Sequence, residues 1–367
     1  MPASSASSVN EMPPVVPLSS MERKVALITG ANGGLGLGIA CRLLDSIPAS
    51  VPLVLVISAR HLRKAVDTIT LLRQYSAKHG RDDALLSFDY VLLDLGSLSS
   101  VYEAAGQLLE RYSHIDYLFL NAGGGDFIGV DWIAATLHVL RDPRDAVTYP
   151  RFKKERVGRM SSDGYGWVFQ INVLANYVLM QELLPALRNG GRVILVSSIE
   201  TQAADPFNAD DLQLVKTKNS YVDSKRQLEI LHAALAKSWE EQEGVLIYLT
   251  HPGICQTAIF AEFLNWFTTF GMLALFYIAR LLGSPWHVIT SYKGANAPVW
   301  AALNAMPEAE RTVGFDYGSA TDAWGRELVK AIPADSDEDK KYGLAFLAEL
   351  DKLSKEAQTK FKVVIPR

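Results

Sequence analysis

From residue 24 to about residue 298, short apolar runs alternate with longer stretches whose apolar positions recur every three or four residues. Runs of strand length lie at 24–29 (KVALIT), 52–57 (PLVLVI), 90–93 (YVLL), 117–120 (YLFL), 192–196 (RVILV) and 245–250 (VLIYLT). Runs this apolar suit strands buried on both faces, and helical stretches between them suit crossovers. The pattern predicts an α/β domain built on a doubly wound parallel sheet. Two stretches break the alternation. Residues 126–166 are polar in patches, carry a basic run over 151–159, and predict only a short helix over 132–140 in otherwise irregular chain. Residues 263–282 are apolar over about the length of a membrane span, and residues 337–362 predict a charged helix. The organisation read from this is a disordered tail over 1–21, one domain over 22–300 with an insertion at 126–166 and a lid or membrane-contact segment at 260–287, and a helical extension over 301–367.

The chemistry lies at the strand ends. The first strand runs into GANGGLGLG at 30–38 and then a helical run at 39–44. Strand, glycine turn and helix in that order aim the backbone N–H groups of Gly30, Gly34, Leu35 and Gly36 at a pyrophosphate. The second strand ends in Ser58 and Arg60 with no acidic residue near. An acid there would take a ribose 2′-hydroxyl, whereas arginine accommodates a 2′-phosphate, so NADP(H) is expected over NAD(H), with Ser58 as a helper. Asp94 ends the third strand, where it could accept an adenine amino group, and Asn121 ends the fourth before Ala122 and three glycines that let backbone approach a cofactor.

Tyr221 and Lys225 lie four positions apart and share one helix face. A lysine cation one turn away stabilises a phenolate, which lets a tyrosine give up and regain a proton. Tyr149 and Lys153 have the same spacing, but Tyr149 precedes Pro150 and is restricted to extended backbone, so that pair does not share a helical face. Ser197 and Ser198 end the fifth strand, Asn172 and Asn176 lie in the long helix over 169–187, and residues 254–257 (Ile254, Cys255, Gln256, Thr257) form a turn able to offer backbone groups to a nicotinamide carboxamide. His251, directly before Pro252, is read as structural.

Composition narrows the classes. The chain has 367 residues, 49% hydrophobic and 21% charged, so it can bury a sizeable core. A net charge of −4, with only the short basic run over 151–159, argues against a nucleic-acid partner. Two cysteines, Cys41 and Cys255, rule out a disulfide framework and any zinc spacing, and suit a reducing compartment. The first 20 residues lack the cationic start and apolar core of a signal peptide, and Met21 offers a second translation start.

Taken together, these motifs resemble the short-chain dehydrogenase/reductases over roughly residues 24–298. Thr29 to Gly36 matches the family's glycine motif, Asn121 its Asn-Ala-Gly, Asn172 its helix asparagine, Ser198 its serine, Tyr221 and Lys225 its Tyr-x-x-x-Lys, and Pro252-Gly253 its nicotinamide loop. One departure is the spacing of Ser198 and Tyr221, 23 positions instead of about a dozen, which keeps Ser197 as the alternative hydroxyl. A narrower resemblance, over 265–287 and 292–298, is to the 3-keto-steroid reductases of sterol C-4 demethylation, relatives of animal 17β-hydroxysteroid dehydrogenase type 7. It implies a Rossmann-type fold and NADPH-dependent reduction of a sterol 3-ketone to the 3β-alcohol. In that reaction Tyr221 donates the proton, Ser198 hydrogen-bonds the same oxygen, Lys225 lowers the tyrosine's pKa and holds the nicotinamide ribose, and Asn172 fixes a relay water. It also implies other C-4 demethylation enzymes as partners and a place on the cytosolic face of the endoplasmic reticulum or a lipid droplet. Two other readings fit: a short-chain reductase for another hydrophobic ketone or aldehyde, such as a retinoid or triterpenoid, and a non-catalytic scaffold for sterol enzymes. For residues 263–282 three readings stand: a buried lid helix over a sterol pocket, an interfacial helix flanked by Trp266 and Trp286, and a true span.

Overall fold

The computed structural model describes residues 23–81, 83–256, 266–306, 315–333 and 337–362. The first half alternates β1 (Lys24–Ile28), α1 (Gly34–Ser46), β2 (Leu53–Ala59), α2 (Leu62–Lys78), β3 (Leu86–Leu92), α3 (Leu98–Arg111) and β4 (Tyr117–Leu120). The insertion carries β5 (Phe127–Val130), α4 (Trp132–Arg141), α5 (Pro143–Thr148) and β6 (Lys153–Glu155). A helix in three parts follows: α6 (Trp167–Phe169), a π-helical turn (Gln170–Leu174) and α7 (Ala175–Leu187). Then come β7 (Arg192–Val196), α8 (Ser220–Glu243), β8 (Leu246–His251), α9 (Trp266–Leu281), α10 (Ser291–Gly294), α11 (Asn296–Asn304), β9 (Phe315–Thr321), β10 (Glu327–Pro333) and α12 (Asp337–Phe361).

Eight strands form one sheet in the order β10-β9-β8-β7-β4-β1-β2-β3, parallel throughout except where β10 returns against β9. Strand order reverses between β1 and β4, so the crevice for a ligand opens at their C-terminal ends. Neighbouring residues on a strand face opposite layers. Leu27 and Val56 pack with α3, α7, α8 and α12 on one side, while Ile28 and Ile57 pack with α1, α2 and α11 on the other. This two-sided burial is why the strands read as unbroken apolar runs.

Three expectations change. The insertion is not irregular: β5 and β6 pair antiparallel, and Asp131 and Asp142 cap α4 and α5 by accepting the N–H of Ala134 (3.1 Å) and Asp145 (2.9 Å). Its strand Lys-Lys-Glu is polar, so pattern alone does not reveal it. Residues after 300 are not a separate helical extension. β9 extends the sheet in parallel from β8, and α12 buries Phe346, Leu350, Leu353 and Ala357 in the core beneath α8. The Asp and Gly within Phe-Asp-Tyr-Gly-Ser-Ala-Thr hide that strand from the hydrophobic pattern.

Within the apolar stretch over 263–282, the described residues form α9 over Trp266–Leu281, 16 residues. At about 1.5 Å per residue that is about 24 Å, short of a hydrocarbon core of about 30 Å. Among the described residues no helix is long and apolar enough to cross a membrane. Nor is α9 a buried lid: it packs on α5 and buries Phe276 and Ala279, but leaves Trp266 83% and Phe270 69% exposed. Residues 1–21 and Thr257 lie outside the described residues.

Candidate active site

The glycine turn is shaped by close approach. Gly30 (φ +67°) and Gly34 (φ +51°) take left-handed backbone that glycine tolerates best. A Cβ at Gly36 would lie 2.3 Å from the Gly30 carbonyl oxygen and 2.9 Å from the Ala31 Cα, so α1 seats flush on the turn only without a side chain there. Gly33 caps α1 with no side-chain hydrogen bond, and no acid occupies its first turn. The N–H groups of Gly34, Leu35 and Gly36 are thus left to an anion, and the helix dipole favours one there. The residues present fit a dinucleotide pyrophosphate.

Thr29 and Asn121 stitch this crevice together. The Thr29 hydroxyl donates to the Phe119 carbonyl (3.1 Å) and accepts the N–H groups of Asn121 and Ala122 (2.9 Å each), while Asn121 Nδ2 donates to the Thr29 carbonyl (2.9 Å). The Asn121 side chain is therefore committed to joining β1 to β4. Ser58 is buried and its Oγ accepts the Gly30 N–H (3.1 Å), bracing the glycine turn. Arg60 is exposed at the end of β2, beside a first turn of α2 that has Arg63 and Lys64 and no acid. Asp94, half-buried, uses Oδ1 to accept the Gly96 N–H (2.9 Å), which fixes its turn.

Tyr221 opens α8, with Lys225 one turn on. Ser198 bears on the Tyr221 phenol, whose pKa it lowers, and accepts the Glu200 N–H (3.2 Å), whereas Ser197 is buried and donates to the Lys225 carbonyl (3.3 Å). The structure thereby chooses Ser198 over Ser197. Lys225 is 6% exposed; its Nζ donates to the Val196 carbonyl (2.8 Å) and stands 5.8 Å from the centre of the Tyr221 ring. Burial lowers the Lys225 pKa to about 8. The Tyr221 phenol is raised, not lowered: burial pushes it up, the Glu200 charge adds to that, and the Ser198 hydroxyl opposes it. The expected downward pull by Lys225 does not prevail over burial.

Asn172 sits in the π-helical turn, an irregularity common at functional sites. Its Oδ1 accepts the Gly124 N–H (2.8 Å), and its Nδ2 donates to the Gly124 carbonyl (2.8 Å) and to Ser224 Oγ (2.7 Å). The Asn172 carbonyl accepts from Asn176 (2.9 Å). The side chain clamps the loop after β4 to α8. Gly123 serves this clamp, since a Cβ there would lie 2.4 Å from Asn172 Oδ1.

The turn after β8 is self-satisfied. The Ile254 N–H donates to the Trp286 carbonyl (2.7 Å), the Ile254 carbonyl accepts the Ile289 N–H (2.9 Å), and Cys255 bridges Ile289. The Ile254 N–H is therefore committed within the protein, while its carbonyl keeps a second lone pair. Burial raises the Cys255 thiol to about 12, which leaves it inert. His251 is buried, accepts the Gly253 N–H at Nδ1 (3.2 Å) and is lowered to about 3 by burial, in keeping with a structural part.

Sequence reasoning missed three charged residues around Tyr221. Glu155 accepts the Ser220 hydroxyl (2.6 Å) and the Tyr221 N–H (2.9 Å), placing a carboxylate at the N-terminus of α8. Lys153 pairs with Glu200 and stands 5.4 Å from the Tyr221 ring centre. Tyr149 donates to Gln202 (2.9 Å), so the discarded Tyr149/Lys153 spacing belongs to the site after all, though not as a pair. Beyond Ser198 a cavity of about 410 Å³ is walled by Thr201, Arg226, Glu229, His251 and Asp339. Arg226 is paired there with Glu229 (2.8 Å) and Asp339 (2.7 Å), and Ile199, Leu249 and Ile332 complete the wall.

Comparison with known proteins agrees with this arrangement. The family model for short chain dehydrogenase matches residues 24–267. The chain is 42% identical to a 3-keto-steroid reductase of Candida glabrata, covering 94% of this chain and 97% of that one. It is 41% identical to 3-keto-steroid reductase ERG27 of Saccharomyces cerevisiae (86% and 90% covered) and 36% identical to that of Schizosaccharomyces pombe (85% and 91%). Among solved structures it is similar in fold to a Pseudomonas aeruginosa RhlG/NADP active-site complex, with TM-score 0.53, 21% identity and coverage of 81% and 95%. It is similar also to a 3-oxoacyl-[acyl-carrier protein] reductase of Brucella melitensis in complex with NAD, with TM-score 0.51, 19% identity and coverage of 77% and 90%.

Proposed function

The chain belongs to the short chain dehydrogenase family, and from that premise we propose that it is an NADPH-dependent 3-keto-steroid reductase. The observation that carries this reading is 36% to 42% identity, over 85% to 94% of the chain, to three fungal enzymes of that name, on a chain that brings Ser198, Tyr221 and Lys225 together. The substrate is a 3-keto sterol intermediate, 4-methyl or 4-demethylated, and the product its 3β-alcohol.

Bound NADPH supplies the hydride that reduces the carbonyl carbon. The glycine turn and the N-terminus of α1 bind its pyrophosphate, and Arg60 takes the 2′-phosphate. Tyr221 gives its proton to the carbonyl oxygen, and Ser198 hydrogen-bonds the same oxygen. A phenol raised by burial is fully protonated at neutral pH, the state a donor needs in the reductive direction. Lys225 lies behind the phenol and steadies it as it ionises. Asn172 holds the loop after β4 and α8 in register, a positioning role.

We further propose that α9 and α4 dock on a lipid surface, the cytosolic face of the endoplasmic reticulum or of a lipid droplet. Both helices pack against α5, and each exposes an apolar stripe: Ile133, Leu137 and Leu140 on α4, and Trp266, Phe270, Tyr277 and Leu281 on α9. A sterol ketone dissolves in membrane, so such a surface sets the enzyme beside its substrate, where other C-4 demethylation enzymes would also work.

A substrate panel tests the reaction. With NADPH, 4-methyl 3-keto sterols should turn over at least about tenfold faster, as kcat/KM, than retinoid or triterpenoid carbonyls, a margin of about 1.4 kcal/mol in transition-state binding. Equal turnover of the non-sterols would overturn the sterol assignment.

A further inference from the structure

The insertion brings charge to Tyr221 that the reaction as described does not use. Along β6, Lys153 and Glu155 face α8 and the turn after β7, while Lys154 faces away and pairs with Asp131 (3.2 Å). Lys153 Nζ stands 5.4 Å from the centre of the Tyr221 ring and 5.3 Å from that of Phe127, whose ring lies 5.7 Å from Tyr221. The same ammonium pairs with Glu200, two residues after Ser198. The side chains of Lys153 and Glu200 are only 7% and 15% exposed, so water screens this pair poorly. Tyr149 and Glu155 fasten the insertion on either side, through Gln202 and the N-terminus of α8.

Resting on the reductase reading above, we propose that Lys153 and Glu200 form a charge-compensating pair that positions Tyr221 and sets how readily its phenol gives up a proton. The insertion is thereby part of the proton-donating apparatus and not a surface decoration. Lys153 and Glu200 act through Tyr221 and touch no reacting atom, so both are positioning residues.

The groups facing the phenol come from four elements: Lys153 and Glu155 on β6, Glu200 after β7, Lys225 on α8, and Cys255 after β8. Glu200 and Glu155 oppose ionisation of Tyr221. Lys153, held against Glu200, offsets that carboxylate and presents positive charge to the ring face. Removing Lys153 leaves Glu200 uncompensated, and the phenol becomes harder to ionise. Removing the Glu200 charge leaves Lys153 uncompensated, and the phenol becomes easier to ionise. Opposite signs from the two ends of one pair are not what loosened packing would give.

The experiment is the pH dependence of kcat/KM for NADP⁺-dependent oxidation of the 3β-alcohol, in which the Tyr221 phenolate is the base. A unit charge about 6 Å away in a partly buried site moves such an inflection by about one pH unit. Lys153→Met should shift it up by about that amount and Glu200→Gln down by about that amount. Lys153→Met/Glu200→Gln should return close to wild type, and Lys153→Arg should behave as wild type. Difference titration of tyrosinate absorbance between each NADP⁺-bound protein and its Tyr221→Phe counterpart reads the same shifts without turnover. Glu200→Gln is nearly isosteric, so it carries the test alone if Lys153→Met does not fold. Superimposed profiles, or single-variant shifts of the same sign, would overturn the proposal. Whether wild type accepts a sterol bears on the reductase reading alone, since the tyrosinate titration needs no substrate.

Discussion

Arg60 and Lys225 show how far single side chains set the behaviour of this site. Arg60 stands exposed where a 2′-phosphate would lie, so Arg60→Glu should raise the KM for NADPH about tenfold or more while leaving that for NADH nearly unchanged. Steady-state kinetics with both cofactors checks this, and equal losses would remove Arg60 from the phosphate site. Lys225 titrates at about 8 in the fold against 10.5 for an unperturbed lysine. Between those values the unfolded chain holds the extra proton, so this residue's contribution to stability rises with pH through that window and is least favourable below about 8. Lys225→Met should therefore unfold at a higher temperature than wild type at pH ~7, with the gain shrinking toward pH ~10, while turnover is lost. Thermal unfolding across pH decides it; a lower unfolding temperature at pH ~7 would contradict the burial argument. Ser198, Tyr221 and Lys225 were legible in sequence because strand end and helix spacing bring them together locally. Lys153 and Glu155 were not, because their approach to Tyr221 depends on β6 folding back over α8, which no local spacing encodes, and Glu200, two residues after Ser198, belongs to no motif that would mark it. Ser58 and Asn121 had the right neighbourhood and take a structural task in it, since an unpartnered turn must satisfy its own N–H and C=O groups before it can serve a ligand.

The elements divide by how their chemistry shows in the chain. Strands β1, β2, β4, β7 and β8 announce themselves because both faces are buried and both must be apolar. Strands β5, β6 and β9 do not, being short or polar, and held by pairing more than by pattern. The apolar segment at 263–282 was visible, but its fate depended on length and on what lies beneath it. α9 ends as a helix buried on one side by α5 and bare on the other. If that bare side meets lipid, Phe270→Glu with Leu281→Glu should cut flotation with phosphatidylcholine vesicles severalfold and leave NADPH binding intact. Unchanged flotation would remove α9 from the membrane contact.

At the scale of the molecule, the alternation of runs was enough to place a parallel sheet with its crevice at the β1/β4 reversal. The alternation was not enough to show that the chain after residue 300 returns to finish the sheet. β9 pairs with β8, and α12 closes the core over α8, so the helix carrying Tyr221 and Lys225 is backed by the far end of the chain. The insertion covers the opposite end of that helix through Glu155. The helix bearing Tyr221 is thus held from both sides, and the whole arrangement has one point where proton and hydride must meet. The most direct measurement is single-turnover reduction of a 4-methyl 3-keto sterol by NADPH with wild type and Tyr221→Phe, following cofactor oxidation and identifying the 3β-alcohol. The account predicts that Tyr221→Phe binds NADPH normally but reduces the ketone about 10²–10⁴ times more slowly. Comparable rates in the two proteins would contradict it.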